Sequence, residues 1–215
     1  MRAPKEQREL FASLADGEPT PQQEALRGPA SGLPEGFLYR PSFLTPDEER
    51  ALLDAIATLT LVEARYRDFT AKRRIASFGA GYDFARNAPV EAPPLPAFLE
   101  PLRARLSAFG GVPEDELVQC TVAEYRPGTQ LGWHRDAPSF GVVLGVSLAS
   151  PARMRFRPYP HQKGSGERAL VLTLEPRSAY VIRDGARWGW QHAISPTKAL
   201  RYSITFRTMR GRRPA

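Results

Sequence analysis

The chain has 215 residues and a mass of 23.9 kDa, which favours a single domain that can bury a hydrophobic core without disulfides or a structural metal. Its one cysteine, Cys120, excludes a disulfide framework and points to a reducing compartment. The mean hydropathy is -0.38 and no run approaches about 18 apolar residues, so we expect a soluble, cytoplasmic protein without a membrane-spanning helix. The net charge of +7 suits a polyanionic partner, although a solvated basic surface without a partner explains it equally well.

Residues 1–34 are polar and interrupted by prolines, which predicts a mobile N-terminal arm with at most a short helix near residues 7–14. Residues 35–215 are then the folded domain. Nothing in the sequence indicates an obligate dimer, and we expect a monomer.

Two amphipathic helices are predicted early in this domain. Thr45 is placed as an N-cap, with Pro46 at the first helical position and Glu48 at the capping-box position, and apolar residues at helical spacing follow. A second helix is predicted over about residues 94–109, where one apolar stripe lies opposite arginines. Both helices are predicted to be scaffold.

From Val118 onward apolar and polar residues alternate, which is the period of a β-strand. Further short apolar runs, separated by loops rich in Gly, Pro and Ser, lie at 142–148, 154–157, 169–174, 179–183 and 201–208. Six or more such strands behind two helices predict a mainly β (α+β) fold. We expect a barrel or a jelly roll (double-stranded β-helix) over about residues 118–208, with two or more helices on one outer face.

Two of the three histidines fit a metal site. His134 precedes Asp136 by two residues, so in an extended segment both side chains point to the same side. With His192 from another strand they make a set of two histidines and one carboxylate, which leaves three positions open, as in non-haem Fe(II) oxygenases. Taken alone, the His-x-Asp triplet is more simply explained as a surface histidine beside a salt-bridged aspartate. The third histidine, His161, lies in a turn-rich loop and is predicted to be solvated.

The segment 201–207 alternates strictly and places Arg201 and Arg207 on one face. Burying two arginines is costly unless an anion meets them. Six residues of strand separate their Cα atoms by about 20 Å, and because each guanidinium reaches inward, the remaining gap suits a short dicarboxylate. On this segment alone, two surface arginines remain the alternative.

These residues belong to an ordered set of motifs. The set comprises His134-x-Asp136, His192, the R-Y-S-I-T-F-R segment from Arg201 to Arg207, Y-R-P-G from Tyr125 and G-V-S-L from Gly145. It resembles the AlkB family of Fe(II)/2-oxoglutarate-dependent dioxygenases over about residues 35–210. The whole set is much harder to obtain by chance than any one of its pieces.

The resemblance implies Fe(II) as metal and 2-oxoglutarate and O₂ as co-substrates. The implied iron ligands are His134, Asp136 and His192, and the implied 2-oxoglutarate contacts are Tyr125, Arg201, Ser203 and Arg207. Arg201 would pair with the distal carboxylate of 2-oxoglutarate, and Arg207 would lie by the carboxylate next to the keto group. Family members hydroxylate a carbon attached to nitrogen, usually the N-alkyl group of a damaged or modified base. The product falls apart to an aldehyde and the repaired base, with succinate and CO₂ as co-products.

The sequence departs from the family pattern near the co-substrate and the substrate. Ala123 stands where an Asn is common two residues before Tyr125, so one hydrogen bond to 2-oxoglutarate is missing or replaced. Pro138 stands where an acidic residue that reads the base edge is common.

The family's nucleotide-contacting lid falls at about residues 62–92, which match it only loosely. This stretch interleaves aromatic and basic residues, a pattern that allows stacking on bases and contact with phosphates. The candidate substrate contacts are Phe78, Tyr82 and Phe84, of which Tyr82, in the glycine-containing stretch, is the best candidate for stacking on a base. The alternative for any single phenylalanine is an ordinary core residue of a hairpin.

The leading hypothesis is therefore an oxidative dealkylase of DNA or RNA bases, of the alkylation-repair type, acting on a single-stranded or flipped base. The same chemistry on a tRNA, a protein side chain or a small metabolite is the alternative, motivated by Pro138. A nucleic-acid-binding module without turnover is a second alternative, motivated by the basic charge.

Overall fold

The computed structural model describes residues 25–28, 32–66, 69–83, 88–162 and 168–211. Within these ranges it describes the backbone alone at residues 65–66, 69–71, 81–83 and 88–91. The short helix predicted near residues 7–14 lies outside the described residues.

Two antiparallel sheets form the framework of the described chain. The larger sheet contains β1 (Leu26–Arg27), β2 (Phe37–Arg40), β3 (Val62–Tyr66), β4 (Phe69–Asp83), β5 (Ala88–Glu91), β6 (Leu117–Tyr125), β8 (Phe140–Leu148), β11 (Ser178–Ile182) and β13 (Arg201–Met209). The smaller sheet contains β7 (Leu131–His134), β9 (Ala152–Pro158), β10 (Leu170–Leu174) and β12 (Trp190–Ile194). The strand order is β1-β2-β11-β8-β13-β6-β4-β3 in the larger sheet, where β5 also pairs with β4, and β10-β9-β12-β7 in the smaller one.

Three α-helices occur in the described residues: α1 (Pro46–Ala57), α2 (Glu100–Gly110) and α3 (Asp184–Trp188). The predicted capping box of α1 is confirmed, because Glu48 N donates to Thr45 Oγ1 at 3.2 Å and Thr45 N donates to Glu48 Oε2 at 2.6 Å. Among these residues, no helix combines the length and the apolar character that crossing a bilayer requires.

The second helix begins later than predicted. A short 3-10 turn at Ala97–Leu99 precedes α2, and Pro96 is extended with ψ 140°. Proline disfavours the helical conformation of the residue before it, so the prolines at 94 and 96 keep this stretch out of the helix in spite of its apolar stripe.

The hydrophobic core has two layers. Side chains of α1 and α2 pack with one face of the larger sheet, for example Leu52 and Leu102 with Val146. The opposite face of that sheet packs on the smaller sheet, where Tyr180 shares a cluster with Phe156. This arrangement confirms the mainly β fold with helices on one outer face.

Two short elements differ from the prediction. Leu26 and Arg27, assigned to a mobile arm, pair with Tyr39 and Leu38 at the edge of the larger sheet. The helix α3 was not predicted. Elements of two and five residues are too short to produce a hydrophobic period, so pattern analysis misses them.

Strand β4 changes partners at Gly79. Residues 74–79 of β4 pair with β6, and residues 80–83 pair with β5. Gly79 has φ +75°, and a Cβ atom there would lie 2.1 Å from the carbonyl oxygen of Val118. Glycine is therefore required where β4 passes from pairing with β6 to pairing with β5.

We expect Gly79→Ala to lower the free energy of unfolding by about 2–4 kcal/mol, because alanine adds a backbone clash to the cost of a left-handed conformation. Gly111→Ala is the matched control, since Gly111 has φ +60° but no atom within 4 Å of the added Cβ. It should cost only about 1 kcal/mol. Urea denaturation of both variants measures the difference, and equal losses would contradict this account of Gly79.

Candidate active site

A cavity of about 410 Å³ lies between the two sheets. Its walls are the inward side chains of β4, β6 and β13 from the larger sheet and of β7 and β12 from the smaller one. Both His-x-Asp residues, His192 and both arginines of β13 line this one cavity.

Strand pairing brings the two histidines together. His134 at the end of β7 lies directly opposite His192 of β12, and their ring centroids are 4.3 Å apart. Asp136 follows two residues after β7. One ligand atom from each of these three residues lies within 4.8 Å of the others, a spacing that suits a single metal ion.

The two oxygens of Asp136 have different surroundings. Oδ1 accepts a hydrogen bond from Arg207 Nε at 2.8 Å. Oδ2 is buried, has no hydrogen-bond partner among the described residues and lies 3.6 Å from His192 Nε2. Burial alone would raise the pKa of Asp136, but the charge of the Arg207 guanidinium holds that pKa well below its usual range. The carboxylate is therefore ionised, with one oxygen free to bind a cation.

Both imidazoles are held neutral. Burial, together with the neighbouring His134, lowers the pKa of His192 to about 3, and burial also lowers the pKa of His134. The Nδ1–H of His134 donates to the carbonyl oxygen of Gly132 at 2.8 Å, which leaves Nε2 as a lone-pair donor. Two neutral nitrogens and one carboxylate oxygen are a donor set that fits Fe(II).

Arg201 is a buried cation without a carboxylate partner among the described residues. It is 1% exposed, its Nε donates to Ser147 Oγ at 3.0 Å and its Nη1 has no hydrogen-bond partner there. Its guanidinium lies over the ring of Tyr125 at 4.8 Å. A buried, incompletely satisfied guanidinium is costly, and a carboxylate entering the cavity would relieve that cost.

Tyr125 and Ser203, the two polar residues predicted beside the arginines, also line the cavity. Burial opposes ionisation of Tyr125, but the charges of Arg73 and Arg201 outweigh it and lower the pKa of the phenol. The site is therefore cationic at this end, as a dianionic ligand requires.

Unlike Arg201, Arg207 donates hydrogen bonds to several protein side chains. Besides Asp136 it donates from Nη1 to Gln119 Oε1 at 2.7 Å and to Thr121 Oγ1 at 3.3 Å. The two arginines predicted to act as a pair thus differ, since one is satisfied by the protein and the other is not.

Comparison with known proteins agrees with this geometry. Residues 36–213 match the model of a family described as the 2OG-Fe(II) oxygenase superfamily. The chain belongs to the 2OG-Fe(II) oxygenase superfamily. This is a family of dioxygenases that use Fe(II), 2-oxoglutarate and O₂. The two imidazoles and the carboxylate in the cavity fit Fe(II), and the incompletely hydrogen-bonded guanidinium of Arg201 fits 2-oxoglutarate.

Individual relatives are AlkB homologues. An Arabidopsis thaliana protein named "Alkylated DNA repair protein ALKBH8 homolog" is 32% identical over 182 residues, which are 74% of this chain and 50% of that protein. A Xenopus tropicalis protein named "tRNA (carboxymethyluridine(34)-5-O)-methyltransferase alkbh8" is 27% identical over 173 residues, which are 77% of this chain and 26% of that protein. The chain spans half or less of the length of these two relatives.

A solved structure titled "The structure of OsALKBH1" has the same fold. It superposes with a TM-score of 0.58 at 17% identity, over 80% of this chain and 96% of that one. With the named relatives, this confirms the resemblance to the AlkB family.

Of the three predicted substrate contacts, the structure describes the side chain of Phe78 alone. Phe78 is 8% exposed and packs in the core beside the helices, while its neighbours Ile75 and Ser77 line the cavity. The substrate contact predicted for Phe78 is therefore wrong, because the strand alternation turns it to the other face. Phe84 and the side chain of Tyr82 lie outside the described part of the structure.

Both departures from the AlkB pattern lie close to the site. Ala123 is buried at the cavity wall, and its methyl group cannot supply the hydrogen bond of an Asn. Pro138 is exposed, two residues beyond Asp136.

Arg187, which no sequence pattern singles out, holds the turn that carries Asp136. Arg187 is 2% exposed and lies on α3. It donates to the carbonyl oxygens of Asp136 at 3.2 Å, Ala137 at 2.8 Å, Phe140 at 2.8 Å and Gly141 at 2.9 Å. No periodicity marks it, because its helix has five residues.

We expect Arg187→Met to lower the free energy of unfolding by at least about 3 kcal/mol, since several buried carbonyl groups lose their donor. Arg183→Met is the matched control, because Arg183 is one-third exposed and makes one such bond, to Gly110 O at 2.9 Å. The control should lose about 1 kcal/mol. Denaturant unfolding measures both, and a loss for Arg187→Met no larger than the control's would show that the turn does not depend on it.

Proposed function

We propose that the chain is an oxygenase that oxidises an alkyl group on a nucleic-acid base, with His134, Asp136 and His192 as the Fe(II) ligands. The observation that carries the proposal is the convergence of an unpaired carboxylate oxygen of Asp136 and an incompletely satisfied Arg201 in one cavity. The Asp136 oxygen can bind a cation, and the Arg201 guanidinium can bind an anion. Fe(II) and 2-oxoglutarate meet both requirements.

When bound, Fe(II), 2-oxoglutarate and O₂ supply the oxidation: one oxygen atom enters the alkyl group, the other enters succinate, and CO₂ leaves. The chain's own part is to bind and orient the reactants. Arg201 pairs with the distal carboxylate of 2-oxoglutarate, and Tyr125 and Ser203 offer further hydrogen-bonding groups beside it. Arg207 holds Asp136 by one oxygen, so that the other faces the cavity, and Arg207 also contributes positive charge toward the keto end of 2-oxoglutarate.

The leading substrate is an N-alkylated base in DNA or RNA. The name of the Arabidopsis relative supports alkylated DNA, and the surplus of positive charge supports a polyanion. The cavity lies between two sheets, so a base must leave its stack to enter it. Hydroxylation of the carbon next to nitrogen gives a hemiaminal, which releases the aldehyde and the unmodified base.

A tRNA base is the second candidate. The name of the Xenopus relative contains a modified uridine of tRNA, and Pro138 removes the acidic group that reads the base edge in the AlkB pattern. The hydroxylated alkyl group would remain on the base if its carbon is not attached to nitrogen.

The test is succinate and formaldehyde release from methylated single-stranded DNA, methylated RNA and bulk tRNA, with Fe(II) and 2-oxoglutarate present. We expect succinate formation to rise with at least one of these substrates, with equimolar formaldehyde for an N-methyl base. Asp136→Ala should retain the fold and lose turnover, because one of three ligands is gone. Formaldehyde-free turnover on tRNA alone would favour the second candidate. Succinate formation that no nucleic acid stimulates would refute both candidates.

A separate prediction concerns Arg201. Because its guanidinium is buried and incompletely paired, Arg201→Met should leave the apoprotein as stable as wild type or more stable. The KM for 2-oxoglutarate should rise roughly 10- to 100-fold, since a charge-assisted pair is lost. Thermal unfolding with and without 2-oxoglutarate, plus steady-state kinetics, measures both effects.

Arg126→Met is the matched control, because Arg126 is an exposed arginine that pairs with Glu124. It should leave the KM for 2-oxoglutarate unchanged. An unchanged KM in Arg201→Met would remove Arg201 from its assigned role.

A further inference from the structure

The outer face of the smaller sheet carries a row of arginines. In β9, Met154 and Phe156 point inward and are buried, while Arg153, Arg155 and Arg157 alternate with them and point outward. The four strands of this sheet contain these three arginines and no aspartate or glutamate. We call the three arginines, together with Trp133, the arginine face.

In the described part of the chain, no acidic group compensates the charge of the arginine face. None of its three guanidinium groups lies within 4 Å of a carboxylate in the described ranges. Arg155 Nε is buried without an acceptor there, and Arg157 Nε donates to the neutral side chain of Gln191 at 2.8 Å. By contrast, Arg50 and Arg103 on the two long helices are both ion-paired. The positive charge of this face is therefore available to an anionic partner.

Aromatic rings lie among these cations. The guanidinium groups of Arg155 and Arg157 are 4.9 Å and 4.5 Å from the ring centroid of Trp133. Nearby in sequence, Arg135 lies 3.6 Å over the ring of Tyr159. Arginine forks stacked on aromatic rings offer hydrogen bonds to phosphates and flat surfaces to bases.

The arginine face is continuous with the candidate active site. Trp133 and His134 are neighbours on β7: the first contacts the outer arginines, and the second lies beside His192 in the cavity. Trp133 also contributes to the cavity wall. A polymer with one unit in the cavity would therefore pass close to the arginines as it leaves the mouth.

We propose that the arginine face binds the sugar-phosphate backbone of the single-stranded nucleic acid whose modified base occupies the cavity. This rests on the proposed function for the identity of the polymer. Successive arginines are about 6.6 Å apart along β9, which gives a flexible polyanion a regular row of forks. The combination of unpaired arginines, aromatic rings and no acid matches single-strand binding surfaces, which join a positive track to stacking platforms.

The test compares two charge-matched double variants, Arg155→Gln/Arg157→Gln on the arginine face and Arg50→Gln/Arg103→Gln on the helices. Binding of an unmodified single strand of about 20 nucleotides is measured by fluorescence anisotropy between about 50 and 200 mM salt. The slope of log K against log salt should shrink by about 1.4 in the first variant, since each lost phosphate contact on a single strand removes about 0.7. It should be unchanged in the second. Equal slopes in both variants would overturn the proposal.

A single variant and a vesicle-binding measurement complete the test. Arg153→Gln alone, at an exposed position, should reduce the slope by about 0.7, so the test survives if the double variant does not fold. Binding to vesicles of phosphatidylglycerol is measured in parallel, and a loss confined to vesicles would overturn the proposal in favour of a membrane surface.

Turnover separates this inference from the proposed function. A methylated mononucleoside should be oxidised equally by the arginine-face variant and wild type, while KM for the methylated oligonucleotide rises in the variant only. Slope changes without any nucleic-acid turnover would leave the arginine face standing and refute the proposed function. Nucleic-acid turnover with an unchanged salt dependence of binding and an unchanged KM for the oligonucleotide would support the proposed function and refute the role of the arginine face.

Discussion

The ion pair between Arg207 and Asp136 joins the two sheets beside the candidate metal ligands. It connects the central strand of the larger sheet with the turn that follows β7 of the smaller one. A carboxyl group buried this deeply would ordinarily favour its neutral form, and the guanidinium keeps it ionised. Because Arg207 occupies one oxygen, the other is left facing the histidines. The ion pair with Arg207 thus keeps Asp136 negatively charged and leaves one of its oxygens available to a cation.

Strand β13 gives the cavity two different ends. Arg201 and Arg207 have the same chemistry and lie on the same face. Among the described residues Arg207 donates to a carboxylate, an amide and a hydroxyl, whereas Arg201 has only the neutral partners Ser147 and Tyr125 and its Nη1 has no acceptor. Stability alone does not explain a buried guanidinium with an unused donor, since an apolar residue of similar size would cost less. The free Nη1 of Arg201 is explained if it donates to the carboxylate of an acidic ligand. The two ends of the cavity along β13 therefore differ: the groups at one end suit a cation, and those at the other end suit an anion.

The sequence was most informative where a regular period or a defined cap applied. The alternation in β13, the capping box at Thr45 and the His-x-Asp spacing each translate directly into geometry. Three-dimensional partners could not be predicted in the same way: the bonds from Arg187 to the Asp136 turn and the different surroundings of the two arginines of β13 depend on which strands become neighbours. Phe78 was misassigned for a related reason, since an aromatic residue in a strand has two faces available and composition does not say which one meets the core.

The smaller sheet uses both of its faces. Its inward residues line the cavity and include the histidines of β7 and β12, while the arginines of β9 alternate with inward residues of their own strand and point outward. A base that enters the cavity remains covalently attached to its strand, so phosphates on either side of it must lie somewhere on the surface near the mouth. In the proposed complex, arginines fixed to a rigid sheet would hold those phosphates in a constant register relative to the histidines, which arginines on a flexible loop would not do. On this proposal, recognition of the polymer and positioning of the reacting carbon would both follow from the smaller sheet, because its outward residues would contact the phosphates and its inward residues would hold the iron site.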